Sequence, residues 1–269
     1  MIRHRKRIDR TAVALGCYMA LFVVFIVAPI VSVVIVSFSS ASVIIFPIPG
    51  YGLAWYRRII EYRPFIDAMI VSAELALASA ALAALLGVPA ALAVARSRSV
   101  GAAVIANVLL APVSVPAIVL GFSLLYFLSS LALGISFTAL LIAHTVASIP
   151  YIVRTVLATY RAVPAQFEEA ASILGASRFQ VLWHTTLPLV RPGIFAGALF
   201  AVLTSLDNLP LSFFFGGART NTLPVVMLSY MENQFDPSIA AVSTVQMLVA
   251  IIALLALDRL YGIERLTAA

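Results

Sequence analysis

The chain has 269 residues, of which 63% are hydrophobic and 10% charged, with a formal net charge of +6 and a mean hydropathy of +1.09. Soluble domains carry about a quarter charged residues, so this composition excludes a soluble globular protein and implies an integral membrane protein. The basic residues flank apolar runs and form no patch interleaved with aromatics, which points to membrane lipid and away from nucleic acid.

Residues 1–10, with Arg3, Arg5, Lys6, Arg7 and Arg10, form a basic N-terminus expected in the cytoplasm. Span 1, about 11–38, is too long for the core of a secretory signal and lacks a convincing cleavage site, so it should be retained. It contains the lone Cys17, read as a packing residue and excluding a disulfide scaffold. Residues 39–65 hold Pro47, Pro49, Gly50 and Gly52, with Trp55, Tyr56 and Tyr62 suited to an interface, and predict an external loop with a surface-lying helix. Spans 2, 3 and 4 follow at about 66–95, 101–128 and 137–160, each long enough for a core that needs roughly 20 apolar residues. Pro112 and Pro116 predict a kink or break in span 3 between 111 and 118, and Pro150 is expected to interrupt span 4.

A loop at 161–192 separates span 4 from span 5, about 193–215. A longer external segment with Gly216, Gly217, Pro224 and Pro237 leads to span 6, about 239–257, and 261–269 is a cytoplasmic tail. Besides the N-terminal cluster, Arg96, Arg98, Arg154, Arg161, Arg178, Arg191, Arg259 and Arg265 fall on the proposed cytoplasmic side or at helix ends, against Arg57, Arg58, Arg63 and Arg219 outside. That bias fits an even number of spans with both termini inside, and it places 161–192 in the cytoplasm.

The centre of that loop, 164–192, has mixed polarity. Pro164 pre-sets a helical φ, Glu168 and Glu169 sit in the first turns where the helix dipole favours negative charge, and Ala170, Ala171 and Leu174 extend the helix. Gly175 is placed to close it in the left-handed conformation. A second short helix, about 177–184, should follow before Pro188 breaks the chain. An amphipathic interfacial helix with Phe167, Ile173, Leu174, Phe179, Leu182 and Trp183 toward lipid is the alternative. It does not require adjacent alanines followed by a glycine at that offset.

Glu169-Ala170-Ala171, three residues, Gly175, nine residues, Thr185, one residue and Leu187-Pro188 resemble the EAA signature of the membrane subunits of bacterial ABC importers, with threonine at the usual isoleucine. The resemblance implies an all-α membrane protein of the type I ABC importer permease fold, with six transmembrane helices and a coupling helix between spans 4 and 5. Glu168, Glu169, Ala170, Ala171, Leu174 and Gly175 would then be ATPase-coupling residues. GLAWYRRI, HTVASIPYIV, SLDNLPLSFFFGG and TLPVVMLSYM are similar to the spermidine/putrescine branch, which also includes opine and phosphonate importers. The implied partners are a homologous second permease forming a heterodimer, two copies of a cytoplasmic ATPase and a periplasmic solute-binding protein. The implied location is the bacterial inner membrane.

Ionisable groups inside spans are functional candidates or paired structural residues. Asp207, followed by Asn208 and Pro210, would form a polar notch in span 5 able to receive a cationic amine, and a bond to a neighbouring helix is the equal alternative. Tyr151 and Asn107 are pathway candidates, Glu74 is a weaker one near the outer end of span 2, and His144 reads as a helix-to-helix hydrogen-bonding residue. There is no phosphate-cradling glycine loop, metal-ligand cluster or nucleophile with a base. The chain therefore needs no cofactor of its own, and ATP and Mg belong on the partner ATPase. An ion-coupled secondary transporter and a membrane-embedded enzyme are the rival classes; the first usually carries inverted repeats and more intramembrane carboxylates, and the second needs clustered polar groups.

Overall fold

Runs of Leu, Val, Ile and Ala can satisfy their backbone polar groups within hydrocarbon only as helices or closed barrels, and the computed structural model is built of helices. It describes residues 10–97, 99–217 and 220–261. Arg3, Arg5, Lys6, Arg7, Arg98, Arg219 and Arg265, with residues 262–269 of the expected tail, lie outside the described residues. Among the described residues, five helices are long and apolar enough to cross a membrane, or six if one bent pair counts as a span.

The chain forms two compact units. One holds the described residues of Met1–Tyr62 together with Asn233–Leu248. Its helix α1 (Arg10–Ser37) carries Cys17 on an exposed surface, which corrects the packing role expected for it. After α1 the chain doubles back through an isolated antiparallel bridge between Ser39 and Tyr51 into α2 (Ala54–Glu61). The Ser37 hydroxyl meets the Tyr56 hydroxyl at 2.7 Å and anchors this turn.

The other unit contains Arg63–Glu232. Helix α3 (Arg63–Arg96) is followed by α4 (Val100–Ser114) and α5 (Ala117–Ser130), which bend 109° from one another across Val115-Pro116. Of the kink or break expected from Pro112 and Pro116, it is the break that forms. Ser136 caps α6 (Phe137–Ala162), accepting a bond from the Ala139 amide, and the helix continues through Pro150, which does not interrupt it as expected. Next come α7 (Gln166–Ile173), α8 (Arg178–Val181), a π-turn (Leu182–Thr186), α9 (Leu187–Leu206) and α10 (Leu209–Phe213). Helix α11 (Leu223–Asn233) occupies what the sequence reads as external loop. Pro224 lies in its first turn, where proline is well suited, and not in a helix interior, which it would break.

Two boundaries differ from expectation. Pro188 does not break the chain: it lies at the start of α9, so Arg178–Leu206 runs as one 29-residue segment. Helix α9 then ends at Leu206, nine residues short of 215, with Asp207 at its C-cap.

The core of this unit is the α3, α6 and α9 cluster, where Ala80, Ala83 and Ala91 pack with Ile152, Val153, Val156, Val190 and Ala201. Close approach is enforced by glycine. A Cβ on Gly197 would fall 2.9 Å from the Ile152 Cα, and one on Gly193 would fall 2.9 Å from the Thr155 carbonyl oxygen. This Gly-x-x-x-Gly pair lets two helix backbones touch where burial of apolar surface from water supplies no driving force.

Candidate functional site

The 161–192 segment builds one end of the site. Gly175 has φ +87°; its amide donates to the Ser172 carbonyl at 3.0 Å, and the Ala176 amide donates to the Ala171 carbonyl at 3.1 Å. These two bonds are the Schellman closure, which requires the left-handed residue glycine supplies. Ser177 then starts α8 with a reciprocal capping box, its amide donating to the Gln180 side chain at 2.8 Å. Glu169, Ala170, Ser172, Ile173, Leu174 and Gly175 are exposed, Ile173 at 85% and Leu174 at 88%. Ala171 is half-buried.

Glu168 is half-buried and belongs to a different set of contacts. Arg96, the last residue of α3, reaches its Oε1 at 2.8 Å. The Thr186 hydroxyl donates to the same oxygen at 2.5 Å and accepts from Arg96 at 2.9 Å. The Tyr160 hydroxyl, from α6, donates to Oε2 at 3.2 Å, and Arg96 Nε donates to Tyr160 at 3.3 Å. Thr186 is 2% exposed and is the last residue of the π-turn, where the Leu187 amide bonds back to the Leu182 carbonyl. Partial burial opposes ionisation of Glu168, but the bonds from Thr186 and Arg96, the Arg96 charge and the Tyr160 bond together outweigh it and hold the carboxyl below the usual carboxylate range.

The second region lies at the opposite end of α9. A cavity of about 650 Å³ is lined by Pro112, Val115 and Pro116 from the α4–α5 bend, Tyr151 from α6, and Asp207 and Asn208. Two interruptions of regular helix therefore face one space. Asn208 is fixed there because its side-chain oxygen accepts the Leu211 amide at 3.2 Å and starts α10. Asp207 is exposed, and its carboxylate has no hydrogen bond or ion pair among the described residues.

His144 is buried beside the same break and bonds Ser205 on α9 at 2.8 Å and Ser212 on α10 at 3.0 Å, clipping the two limbs together. Glu74 is exposed on α3, eleven residues from its start and so about 16 Å along the axis, and it does not line this cavity. Asn107 is likewise exposed and outside it. Among the described residues no group of His, Cys, Asp or Glu could hold a metal ion.

Four residues of these regions escaped the sequence reading. In the sequence Arg96 is only a topological marker, Tyr160 the end of a span and Thr186 the neighbour of the variant Thr185. Their partners are 72, 8 and 18 positions away, and no local pattern encodes that. Arg154 did carry a signal, an arginine well inside an apolar run. It is exposed, has no partner among the described residues, and follows Tyr151 by three positions, which keeps it on the same side of α6.

The chain thus joins a small-residue helix core, a break after α9 beside a cavity and an exposed helix-turn-helix between α6 and α9. Residues 83–263 match the family "Binding-protein-dependent transport system inner membrane component", and the chain belongs to it. It is 31% identical over 211 residues to the spermidine/putrescine transport system permease protein PotC of Haemophilus influenzae, covering 78% of this chain and 82% of that protein. It is 35% identical over 205 residues to the molybdenum transport system permease protein ModB of Mycobacterium bovis, covering 71% and 76%. A crystal structure of a bacterial ABC transporter involved in import of the acidic polysaccharide alginate aligns with a TM-score of 0.71 over 94% of this chain and 98% of that one, at 17% identity. The fold is therefore that of a type I ABC importer permease, and the chain is a multi-pass inner-membrane transport component.

Proposed function

We propose that this chain is the permease subunit of an ATP-driven importer that moves a small solute of the polyamine class into the cytoplasm. The observation that carries the coupling half of this reading is the exposed apolar ridge Ile173–Leu174 beside the small Ala170, held by the Gly175 turn. Large exposed apolar side chains at a preformed turn mark a docking surface, and the EAA spacing identifies its occupant as the ATPase. The chain works with a homologous permease in a heterodimer, two ATPase copies that bind ATP and Mg, and a periplasmic solute-binding protein. Hydrolysis is carried by the ATPase, and this chain contributes no catalytic residue.

The solute half rests on Asp207. The carboxylate and the partial negative charge at the C-terminus of α9 both favour a cation at the 650 Å³ cavity. The named PotC relative supports the same class. Reconstitution with the ATPase and binding protein, followed by ATP-dependent uptake of labelled spermidine and putrescine, tests it; ATP-dependent uptake of neither removes the polyamine assignment.

Arg154 favours a second reading, in which the solute carries an anionic group as well as a cationic one, as an opine or amino-acid-like compound does. A cation on the same side of α6 as Tyr151, with no partner among the described residues, repels a polyamine but pairs with a carboxylate. Arg154→Gln separates the two: uptake of a zwitterion should fall, whereas uptake of spermidine should hold or rise. Orientation is checked with single cysteines after Cys17 is replaced. Ser172→Cys should be shielded from an impermeant thiol reagent in intact cells and Ser129→Cys labelled.

A further inference from the structure

Glu168 and Glu169 are neighbours in the same helical turn, yet they face different ways: Glu169 is exposed, while Glu168 turns inward onto Arg96, Tyr160 and Thr186. Those three residues end α3, lie near the end of α6 and end the π-turn that leads into α9. Each element of the α3, α6 and α9 core therefore sends one side chain to a single carboxylate. The π-turn inserts an extra residue into the helical repeat, and it places Thr186 inward, where its hydroxyl can also donate weakly to the Val181 carbonyl at 3.4 Å. From Thr186, α9 runs 20 residues to the Asp207 cap, about 30 Å at helical rise. The Gly193 and Gly197 contacts hold its backbone against α6 along the way.

We propose that Glu168 is a positioning residue, the keystone of a latch with Arg96, Tyr160 and Thr186 that makes coupling helix α7 move as one body with the cytoplasmic ends of α3, α6 and α9. The proposal rests on the coupling reading of α7 and deepens it. The exposed face receives the ATPase, and the latch delivers its motion to the far end of α9. Without the latch, α7 is tied to the bundle chiefly by its flanking chain and can tilt under load. ATPase closure is then absorbed locally, and the Asp207 end does not follow.

The test uses the assembled importer and a readout independent of the solute. Thr204 lines the cavity at the far end of α9; in a Cys17→Ala background, the reaction rate of Thr204→Cys with a small thiol reagent is compared without nucleotide and with ATP plus vanadate. Glu168→Gln should still copurify with the ATPase, but the nucleotide-dependent change in labelling rate should shrink, on the order of tenfold. Arg96→Gln should do the same, and the double variant should be no worse than either single one, because both break one interaction. Arg96→Lys, which keeps the charge, should recover part of the response. Thr186→Val, which keeps the shape and removes one donor, should give an intermediate loss.

Loss of the ATPase from the Glu168→Gln complex would show that Glu168 belongs to the docking surface and overturn the latch. A normal labelling response, or losses that multiply in the double variant, would overturn it equally. Ala170→Arg, on the exposed face, is read separately. If that variant retains the ATPase, the coupling reading itself fails and takes the latch with it; if it loses the ATPase while Glu168→Gln responds normally, only the latch fails.

Discussion

Each end of helix α9 lies beside a carboxylate, Glu168 from α7 at its start and Asp207 at its finish, and the two are treated in opposite ways. At the start, Glu168 accepts from Arg96, Thr186 and Tyr160 and is half-buried. At the finish, Asp207 is exposed, faces a 650 Å³ cavity and has no side-chain partner among the described residues. A carboxylate whose bonds are taken up within the chain is suited to hold a position; one left open is suited to receive something that comes and goes. The backbone matches this division. The early end is continuous through a π-turn, whereas the late end is broken at Asp207 and restarts at Leu209.

The largest expected effect would erase the comparison by removing the helix that joins its two terms. Gly197→Val places side-chain atoms where even a Cβ sits 2.9 Å from the Ile152 Cα. Overpacking of this kind costs about 1–3 kcal/mol, and here the obstacle is backbone that cannot swing aside. The assembled complex should fall in yield and in thermal midpoint, with both ends of α9 affected together. Normal thermal stability would show that α6 and α9 do not depend on backbone contact.

Asp207→Asn isolates the open end. Since this carboxylate has no partner to strand among the described residues, stability should change within about 0.5 kcal/mol, while ATP-driven uptake of a cationic solute should drop by roughly tenfold, the effect of about 1.4 kcal/mol. A fall in assembled complex instead would make Asp207 structural and dissolve the contrast with Glu168.

Gly175→Ala examines the closed end through its turn. The added methyl meets nothing within 4 Å, so the penalty is conformational alone, from φ +87°. A non-glycine residue in that region costs about 1–2 kcal/mol. ATPase association should weaken several-fold with insertion unchanged, measured by copurification at graded ATPase concentrations.

The smallest effect is in acid. The folded-state pKa of Glu168 is depressed, so the latch contributes its full stabilisation above the ordinary carboxylate value of about 4.5, and that contribution is lost as pH falls through the depressed value. Amide protection of α7, followed by hydrogen exchange in detergent, should hold from neutral pH down to the carboxylate range and decline below it. The Arg96 and Glu168 side chains are 39% and 24% exposed, so solvent screens the pair and keeps the change small. In Glu168→Gln this acid-dependent step should vanish; its persistence would assign the titration to another group.

Much of this protein could be read from its sequence because the governing physics is local. Hydrocarbon forces unbroken apolar runs into helices, so the long helices were legible from composition alone. The Gly175 turn was legible too, because a left-handed closure needs glycine within a few residues of the helix it ends. The polar residues at 207 and 208 stood out against an apolar run for the same reason.

Tertiary structure alone decided how these pieces act together. Proline has local meaning but no fixed outcome: Pro112 and Pro116 accompany a 109° bend, whereas Pro188 and Pro224 begin helices. The extra residue of the π-turn leaves no trace in spacing, yet it places Thr186 on Glu168. The sequence grouped Glu168 with Glu169 because both are acidic and adjacent, and only packing separated them. A side chain's partner is chosen by which helix ends converge in space, and Arg96 and Glu168 are 72 residues apart along the chain but 2.8 Å apart across the fold.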